Sequence, residues 1–309
     1  MRYLRRRLLQ TFVGLAGIIF IVFVIVRLSG EPAALLLPPN ATDEAIADFR
    51  RSLGLDRPIL LQFAIFSGRL AQGNFGDSIY YGNPAGGLVL QRFPATLQLA
   101  AVSMLIAIIA GVGLGIVAAR RQGAAADYIA IGLSLFGQSM PIYWFGSLLI
   151  ILFSVQLRWF PTSGRGTWQH LVLPAITLAT FMMPQIARLT RSGLLDVLNS
   201  DFIRTARAQG INERTITYKY AFRNVAISLI TILGLQIGTL IGGAVITETV
   251  FAWPGVGSFT VEALYRRDYP VVMASVTLVA VSFVVINFIV DVLYVVIDPR
   301  VRLGAGRTK

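Results

Sequence analysis

The chain has 309 residues, of which 55% are hydrophobic and only 14% are charged, with a formal net charge of +12. A soluble domain carries about 25% charged residues, so this composition indicates an integral membrane protein. The absence of cysteine excludes a disulfide framework, a thiolate metal site and a cysteine nucleophile, and the single histidine, His170, argues against a histidine-built metal centre.

Six apolar stretches of roughly 20 residues or more are long enough to cross a hydrocarbon core of about 30 Å. They predict transmembrane helices over 8–28, 97–119, 128–153, 171–189, 225–250 and 271–297. The first stretch is longer than a typical signal-peptide core, and no convincing small-residue cleavage site follows it. It is therefore predicted to remain as an uncleaved span. Six spans place both termini on the same side of the membrane.

Lysine and arginine collect on one side of these spans. Seventeen of them lie in the segments on the side of the two termini, against nine in the opposite loops, and five of those nine belong to one long loop. By the positive-inside rule, both termini are predicted to be cytoplasmic. The net charge is therefore interpreted as a topology signal, and no nucleic-acid partner is expected.

The long loop, 29–94, is predicted to face outward. Thr42 is predicted to cap a short amphipathic helix that runs to Leu53. The apolar stretch 59–70 is too short to span a membrane and is predicted to lie in the interface. The turn-rich run that begins at Gly73 then completes what we interpret as a small ordered cap.

Two spans carry glycines at helical spacing, which predicts close helix packing in lipid. These are Gly111 and Gly115 in the second span and Gly234, Gly238 and Gly242 in the fifth. Proline residues, Pro141 and Pro184, are predicted to interrupt the third and fourth spans.

Two acidic residues lie inside apolar spans, where a charge is by default a functional hypothesis. For Asp291, in the sixth span, a hydrogen bond to a neighbouring helix or to cavity water is the alternative. Glu248, near the outer end of the fifth span, precedes an aromatic and turn-forming run that contains Phe251 and Trp253. That run is predicted to form an outer gate, and an interfacial aromatic belt is the alternative.

The segment 200–210 lies between two spans on the predicted cytoplasmic side. Ser200 is predicted to cap a short helix, Asp201 suits the positive end of its dipole, and Gly210 fits the position just past its end. The predicted apolar stripe is Phe202, Ile203 and Ala206, while Arg204 and Arg207 share another face. Such a helix is typical of a part that docks onto a partner; the alternative is a connector on the lipid headgroups.

Several enzymatic motifs are absent from the sequence. Neither of the two lysines, Lys219 and Lys309, follows a glycine, so the chain has no Walker A loop for ATP. It also has no HExxH and no GxSxG. The run from Gly113 to Ala118 imitates a dinucleotide fingerprint, but it lies inside a predicted span with no strand before it, and we interpret it as helix packing.

Seven segments together match the pattern of one family. They are RRRLL (5–9), LGLDRP (53–58), GNFGDS (73–78), FPATLQL (93–99), ETVFAWPGVG (248–257), RDYP (267–270) and DPR (298–300). On these segments the chain resembles, over nearly its whole length, the first of the two permease subunits of bacterial ABC importers for dipeptides, oligopeptides, glutathione or nickel.

The resemblance implies a role for the segment that ends at Gly210. In this family a cytoplasmic loop carries a coupling motif that ends in glycine and seats in a groove of the ATPase subunit. The motif's glycine falls on Gly210 and its second alanine on Ala206, whereas its glutamate and first alanine are replaced by Arg204 and Thr205. That departure is common in peptide-type permeases. The implied coupling residues are Asp201, Arg204, Thr205, Ala206, Arg207 and Gly210.

The implied fold is an all-α integral membrane protein of the bacterial inner membrane, with six transmembrane helices in a type I ABC importer domain. The expected organisation is a cytoplasmic N-terminus and first helix (1–28), an extracytoplasmic loop with short helices (29–94), the ABC transmembrane domain (95–298) and a cytoplasmic tail (299–309).

The resemblance also implies the chain's partners and cargo. The partners are a second homologous permease, two ATP-binding cassette subunits, an extracytoplasmic binding protein and membrane lipid. ATP and Mg would be bound by the ATPases, so this chain is expected to hold no cofactor, no metal and no catalytic residue. The expected cargo is short peptides, transported by alternating access; nickel or a metal chelate is the alternative.

Two other functional classes fit the composition less well. A secondary transporter would use Asp291 and Glu248 to couple an ion gradient. A membrane-embedded enzyme would need a nucleophile–base pair or metal ligands inside the bundle, which the scarcity of His and Cys disfavours.

Overall fold

The computed structural model of the chain describes residues 2–28, 42, 44, 45, 48, 51 and 56–297. Within those residues the regular structure is helical, and only an isolated bridge pairs Asp77 with Pro84. The helices are α1 (Arg2–Leu28), α2 (Ile59–Ala71), α3 (Ala85–Arg120), α4 (Ala125–Phe136), α5 (Ile142–Leu149), α6 (Gln169–Leu198), α7 (Asp201–Ala208), α8 (Glu213–Thr215), α9 (Phe222–Val250), α10 (Val256–Tyr265) and α11 (Tyr269–Ile297). A 3₁₀ turn follows α4, and π-helical turns follow α5 (Ile150–Gln156) and α8 (Ile216–Ala221).

Five of the six predicted spans each lie within one helix, and the third, 128–153, is divided between α4 and α5. Three helices of the described part are long and apolar enough to cross a membrane, namely Ala85–Arg120, Gln169–Leu198 and Tyr269–Ile289. Helices α1 and α9 cover the first and fifth predicted spans. The all-α prediction is confirmed, while the side on which the termini lie stays a prediction.

Prolines had different effects on three of the predicted spans. At Pro141 the predicted interruption is confirmed, because Met140 before it is extended (φ −119°, ψ 147°) and separates α4 from α5. At Pro184 the predicted interruption is wrong, since α6 runs through this buried residue. The second predicted span, 97–119, lies within α3, which begins earlier, at Ala85, and includes Pro94. Where the helix continues through a proline, packing against neighbouring helices makes the loss of one backbone hydrogen bond tolerable.

The first of two compact units comprises residues 1–94 and 255–284. Its core includes Phe23, Val89 and Phe259, all almost completely buried. The buried carboxylate of Asp268 accepts hydrogen bonds from the Ser78 hydroxyl and from backbone N–H groups, including that of Ile79 at 3.2 Å. Asp268 therefore fixes the turn that follows α2 to the connection between α10 and α11.

The loop before α2 is described only in part. The Thr42 hydroxyl accepts a hydrogen bond from the Ala45 N–H at 3.3 Å, which agrees with the predicted cap. Most of the predicted helix from Thr42 to Leu53 lies outside the described residues. After α2, burial raises the pKa of the Tyr81 phenol, and its hydrogen bond to Glu262 raises that pKa further. Tyr81 therefore stays a neutral hydrogen-bond donor.

The second unit comprises residues 95–254 and 285–309. Here α3 lies so close to α6 that a methyl group on Gly111 would be 2.8 Å from the Ile186 Cβ, and one on Gly115 would be 2.5 Å from the Thr190 Cβ. The predicted close packing at these two glycines is therefore confirmed. In the fifth span, Gly238 and Gly242 lie outside the described side chains.

Candidate functional site

The short helix α7 occupies the predicted segment and ends as the sequence indicates. Ser200 is its N-cap residue, since its carbonyl accepts from the N–H groups of Ile203 and Arg204 at 3.1 and 3.2 Å. The predicted side-chain cap is wrong, because the Ser200 hydroxyl donates instead to the carbonyl of Val197 in α6. At the other end, Gly210 adopts the left-handed φ of +76° that stops the helix.

One face of α7 is anchored in the unit's own core. Ile203 is completely buried and Ala206 is 8% exposed, both within a cluster that includes Leu194 of α6 and Val225 of α9. These two members of the predicted apolar stripe are confirmed, while Phe202 lies at its edge with 50% of its surface exposed. The small side chain of Ala206 therefore serves packing inside the chain.

The other face of α7 is polar and exposed. Arg204 pairs with Asp201 at 3.3 Å, and Arg207 pairs with Glu213 at 2.7 Å. The Thr205 hydroxyl donates to the Asp201 carbonyl at 3.1 Å. Such exposed pairs contribute at most about 1 kcal/mol each, so they leave the arginines available to exchange partners. The exposed part of α7 thus combines half-exposed Phe202 with these charged side chains.

The C-terminal end of α9 is built as a Schellman turn. The N–H of Trp253 donates to the Glu248 carbonyl at 2.8 Å, and the N–H of Ala252 donates to the Thr249 carbonyl at 3.3 Å. Ala252 holds the left-handed position, with φ +46°, which glycine usually fills. A proline, Pro254, follows the turn and prevents the helix from continuing.

This turn is fixed to the part of α3 that lies in the same unit. The indole N–H of Trp253 donates to the Ala95 carbonyl at 2.9 Å, and the Glu248 carboxylate accepts from the Thr96 hydroxyl at 2.7 Å. Trp253 is 1% exposed and Glu248 is completely buried. The guanidinium of Arg165 lies 5.6 Å from the centre of the Trp253 ring and covers its face.

Phe251, the remaining aromatic residue of the turn, is also buried, with 2% of its surface exposed. A methyl group on Gly146 of α5 would lie 3.1 Å from the Phe251 ring. The Phe251 carbonyl accepts a hydrogen bond from the Gly164 N–H at 2.9 Å. The aromatic residues of an interfacial belt contact lipid and water, whereas Phe251 and Trp253 contact the chain itself. The geometry therefore disfavours the belt.

The remaining predicted site residue, Asp291, lies in α11, but its side chain is outside the described part of the chain. Across the described residues, no three His, Cys, Asp or Glu side chains are placed to hold a metal ion.

One ion pair in this unit was not predicted. Both oxygens of buried Asp127, in α4, accept from the Arg191 guanidinium of α6 at 2.7 Å. In the sequence, Arg191 is one of the seventeen basic residues that indicate the topology. The rule that a charge next to an apolar span needs a partner would have drawn attention to Asp127, but not to the residue that pairs with it.

Comparison with known families and relatives gives one consistent result. Residues 111–303 match the model of the binding-protein-dependent transport system inner membrane component, and residues 1–100 match the N-terminal model of the same kind of component. The chain is 39% identical to the di/tripeptide transport system permease protein DppB of Pseudomonas aeruginosa, over 97% of this chain and 98% of that protein.

Two further relatives are similar over the same extent. Identity is 40% to the glutathione transport system permease protein GsiC of Salmonella typhi, over 98% of this chain and 99% of the relative. It is also 40% to the oligopeptide transport system permease protein AppB of Bacillus subtilis, over 97% and 99%.

Among solved structures, inward-facing MetNI, a methionine ABC transporter, shares the fold. Its TM-score is 0.58 at 20% identity, and the match covers 68% of this chain and 96% of that one. At this identity the likeness supports the type I importer fold alone.

Proposed function

The chain belongs to the family of binding-protein-dependent transport system inner membrane components, and from that premise we propose that it carries short peptides across the inner membrane. It is a non-catalytic permease subunit of an ABC importer. The observation that carries the proposal for its cargo is near-full-length similarity to three permeases whose names specify di- and tripeptides, glutathione and oligopeptides. Glutathione is itself a tripeptide, so one chemical class covers all three.

The family works with a binding protein and an ATPase, and we assign the ATPase contact to α7. A coupling element has to be rigid and anchored on one side and accessible on the other. Helix α7 fulfils the first requirement through buried Ile203 and Ala206 and the second through half-exposed Phe202. Aromatic residues and arginine are enriched at protein interfaces, so half-exposed Phe202 on the same helix as Arg204 and Arg207 suits a docking surface.

Movement of α7 would reach the membrane helices through its buried face. The cluster around Ile203 includes Leu198 of α6 and Val225 of α9, so a displacement of α7 would be transmitted to both of these helices. Densely packed side chains transmit displacement because the interior has little free volume. This arrangement suits the alternating-access transition that ATP binding drives in the partner subunits.

We assign the outer gate to the turn at the end of α9. Phe251 and Trp253 are buried, and Glu248 is bonded to Thr96, so the turn and the adjacent part of α3 behave as one body. Closure of the pathway toward the outside would then depend on this connection. Its loss would leave the outer end of α9 free to move.

A complete importer would also contain a second homologous permease and two ATPase subunits. The test is mild-detergent purification of the tagged chain from its native membrane, with mass-spectrometric identification of the associated proteins. Recovery of a second permease and two ATPases is expected. A chain that is repeatedly purified alone, even after crosslinking, would contradict the assembly.

The cargo is tested with the same complex after reconstitution with its binding protein. Di- and tripeptides are expected to stimulate ATP hydrolysis and to enter vesicles. Stimulation by nickel or a metal chelate, with no response to peptides, would refute the peptide proposal while leaving the importer class intact.

A further inference from the structure

A cavity of about 640 Å³ in the first unit is lined by four arginines, Arg27, Arg51, Arg57 and Arg69. The only acidic residue among its described lining residues is Asp77. The described lining is therefore cationic, and it belongs to the first unit, whereas α7 and the turn at the end of α9 belong to the second.

Most of this positive charge has no counterion within the described residues. Arg51 pairs with Asp48 at 2.6 Å, but no described carboxylate lies within 4 Å of Arg27, Arg57 or Arg69. All four arginines are on the predicted outer side, where the positive-inside rule disfavours their accumulation. Arg51, Arg57 and Arg69 are exposed, so their guanidinium groups are available to an anion that enters the cavity.

A buried hydroxyl also lines the cavity without a partner. The Tyr269 Oη is inaccessible to solvent and makes no hydrogen bond in the structure. A buried hydroxyl that lacks a partner costs roughly 1–3 kcal/mol, and a ligand that accepts from it would remove that cost. Tyr269 and the arginines thus line one volume, and a small movement of the Tyr269 ring would bring its hydroxyl to a ligand there.

Part of the remaining lining is apolar, and α2, which contributes to it, also presents exposed apolar side chains suited to lipid. Phe23 and Phe66 contribute to the lining, and Ile65 joins it to α2. On α2, Leu60 and Leu61 are 68% and 47% exposed. This helix has 13 residues and is too short to span a bilayer, so it fits a position along the interface. A ligand with an anionic head and an apolar tail would match both parts.

We propose that this cavity binds the phosphate headgroup of an anionic phospholipid from the outer leaflet of the inner membrane. Arginine forks bind phosphate oxygens in pairs, and basic pockets at the membrane surface recognise anionic lipids in this way. The site includes Arg27, in the last turn of α1, which the predicted topology places at the level of the outer headgroups. The lipid would hold the outer loop against the membrane. The proposal depends on membrane insertion and is independent of the cargo.

The test measures phosphatidylglycerol retained by the importer complex in nanodiscs of mixed phosphatidylglycerol and phosphatidylcholine. The variant is Arg57→Gln/Arg69→Gln. Its matched control is Arg158→Gln/Arg267→Gln, which removes two exposed arginines from the same predicted side but outside the cavity. We expect retention to fall roughly tenfold or more in the variant and to stay unchanged in the control.

A second variant keeps the test decisive if the double substitution disturbs assembly. Tyr269→Phe removes only the buried hydroxyl and should lower phosphatidylglycerol retention by about threefold, with the complex intact. Equal retention in wild type and both variants would overturn the proposal. The proposal would also be overturned if the arginine variant retained phosphatidylglycerol as wild type does in the mixed nanodiscs but captured the binding protein more weakly in nanodiscs free of anionic lipid. The cavity would then be a protein-docking site.

Discussion

Two helices in the second unit are followed by a residue in the left-handed conformation, but the two helix ends are proposed to serve opposite purposes. Helix α7 ends at Gly210, with φ +76°, and α9 ends at Ala252, with φ +46°. Around Gly210 the chain is exposed, and a methyl group placed there would meet nothing within 4 Å. Ala252 lies between the buried aromatic residues Phe251 and Trp253.

The difference concerns what holds each end in place. Gly210 takes the left-handed conformation at no steric cost, so the end of α7 is set by local chemistry and its surroundings stay open to a partner. At Ala252 the side chain opposes that conformation, by roughly 1–2 kcal/mol. The hydrogen bonds of Trp253 and Glu248 to α3 offset this cost. An open end suits docking, and a fixed end suits a gate.

The largest effect is expected from Trp253→Ala, which removes the anchor of the fixed end. Large-to-small changes at buried tryptophan cost about 3–5 kcal/mol, and this one also removes the hydrogen bond to Ala95. Thermal stability of the purified complex should fall, and basal ATP hydrolysis or substrate leak should rise because the outer end of α9 is released.

The matched control for that change is Trp168→Ala, since Trp168 is 71% exposed. It should leave stability, basal hydrolysis and leak within experimental error of wild type. If Trp253→Ala behaves like Trp168→Ala in all three measurements, the turn is neither anchor nor gate.

The next effect is functional and concerns the open end. Gly210→Trp introduces bulk where the ATPase is proposed to seat, so binding-protein-stimulated ATP hydrolysis should be abolished while the chain remains inserted in the membrane. Stimulated hydrolysis is measured in proteoliposomes, and insertion is measured by membrane fractionation.

Gly123→Trp is the control that distinguishes obstruction of the proposed docking position from strain in the backbone of a glycine turn. Gly123 has the same φ of +76°, and it too has open space around it, in the turn between α3 and α4. This control should keep most of the stimulated activity. Similar losses in both variants would assign the effect to strain in the glycine turns and would remove the support for docking at Gly210.

The smallest effect is a gain of stability at the fixed end. Ala252→Gly relieves the left-handed alanine and should stabilise the complex by about 1 kcal/mol, seen as a small rise in melting temperature with transport unchanged. The same substitution inside the helix, Ala244→Gly, should destabilise by a similar amount. A fall in melting temperature for Ala252→Gly would show that the methyl group contributes packing that outweighs the strain.

The segment 200–210 was predictable largely because its determinants are local. Asp201 in the first turn and Gly210 past the end bound the helix, and the spacing of Ile203 and Ala206 defines its buried stripe. The Ser200 side chain was predicted wrongly, because the hydroxyl had two possible partners and the sequence does not show which lies closer.

The sequence by itself determined the membrane class, the positions of the helices and the family, because apolar length, glycine spacing and contiguous motifs are all local properties. Helix packing decided whether a proline in an apolar segment interrupts the helix or is accommodated within it. The chain breaks before Pro141 but passes as helix through Pro94 and Pro184, since neighbouring helices determine whether the lost hydrogen bond is tolerated.

Tertiary structure also decided that alanine would occupy a left-handed position at 252. It brought Glu248 and Trp253 to partners about 150 residues away in the chain, Thr96 and Ala95. Contacts at that separation depend on how the helices pack. These contacts are therefore stabilised by the packing of the whole unit, and no short segment of the sequence predicts them.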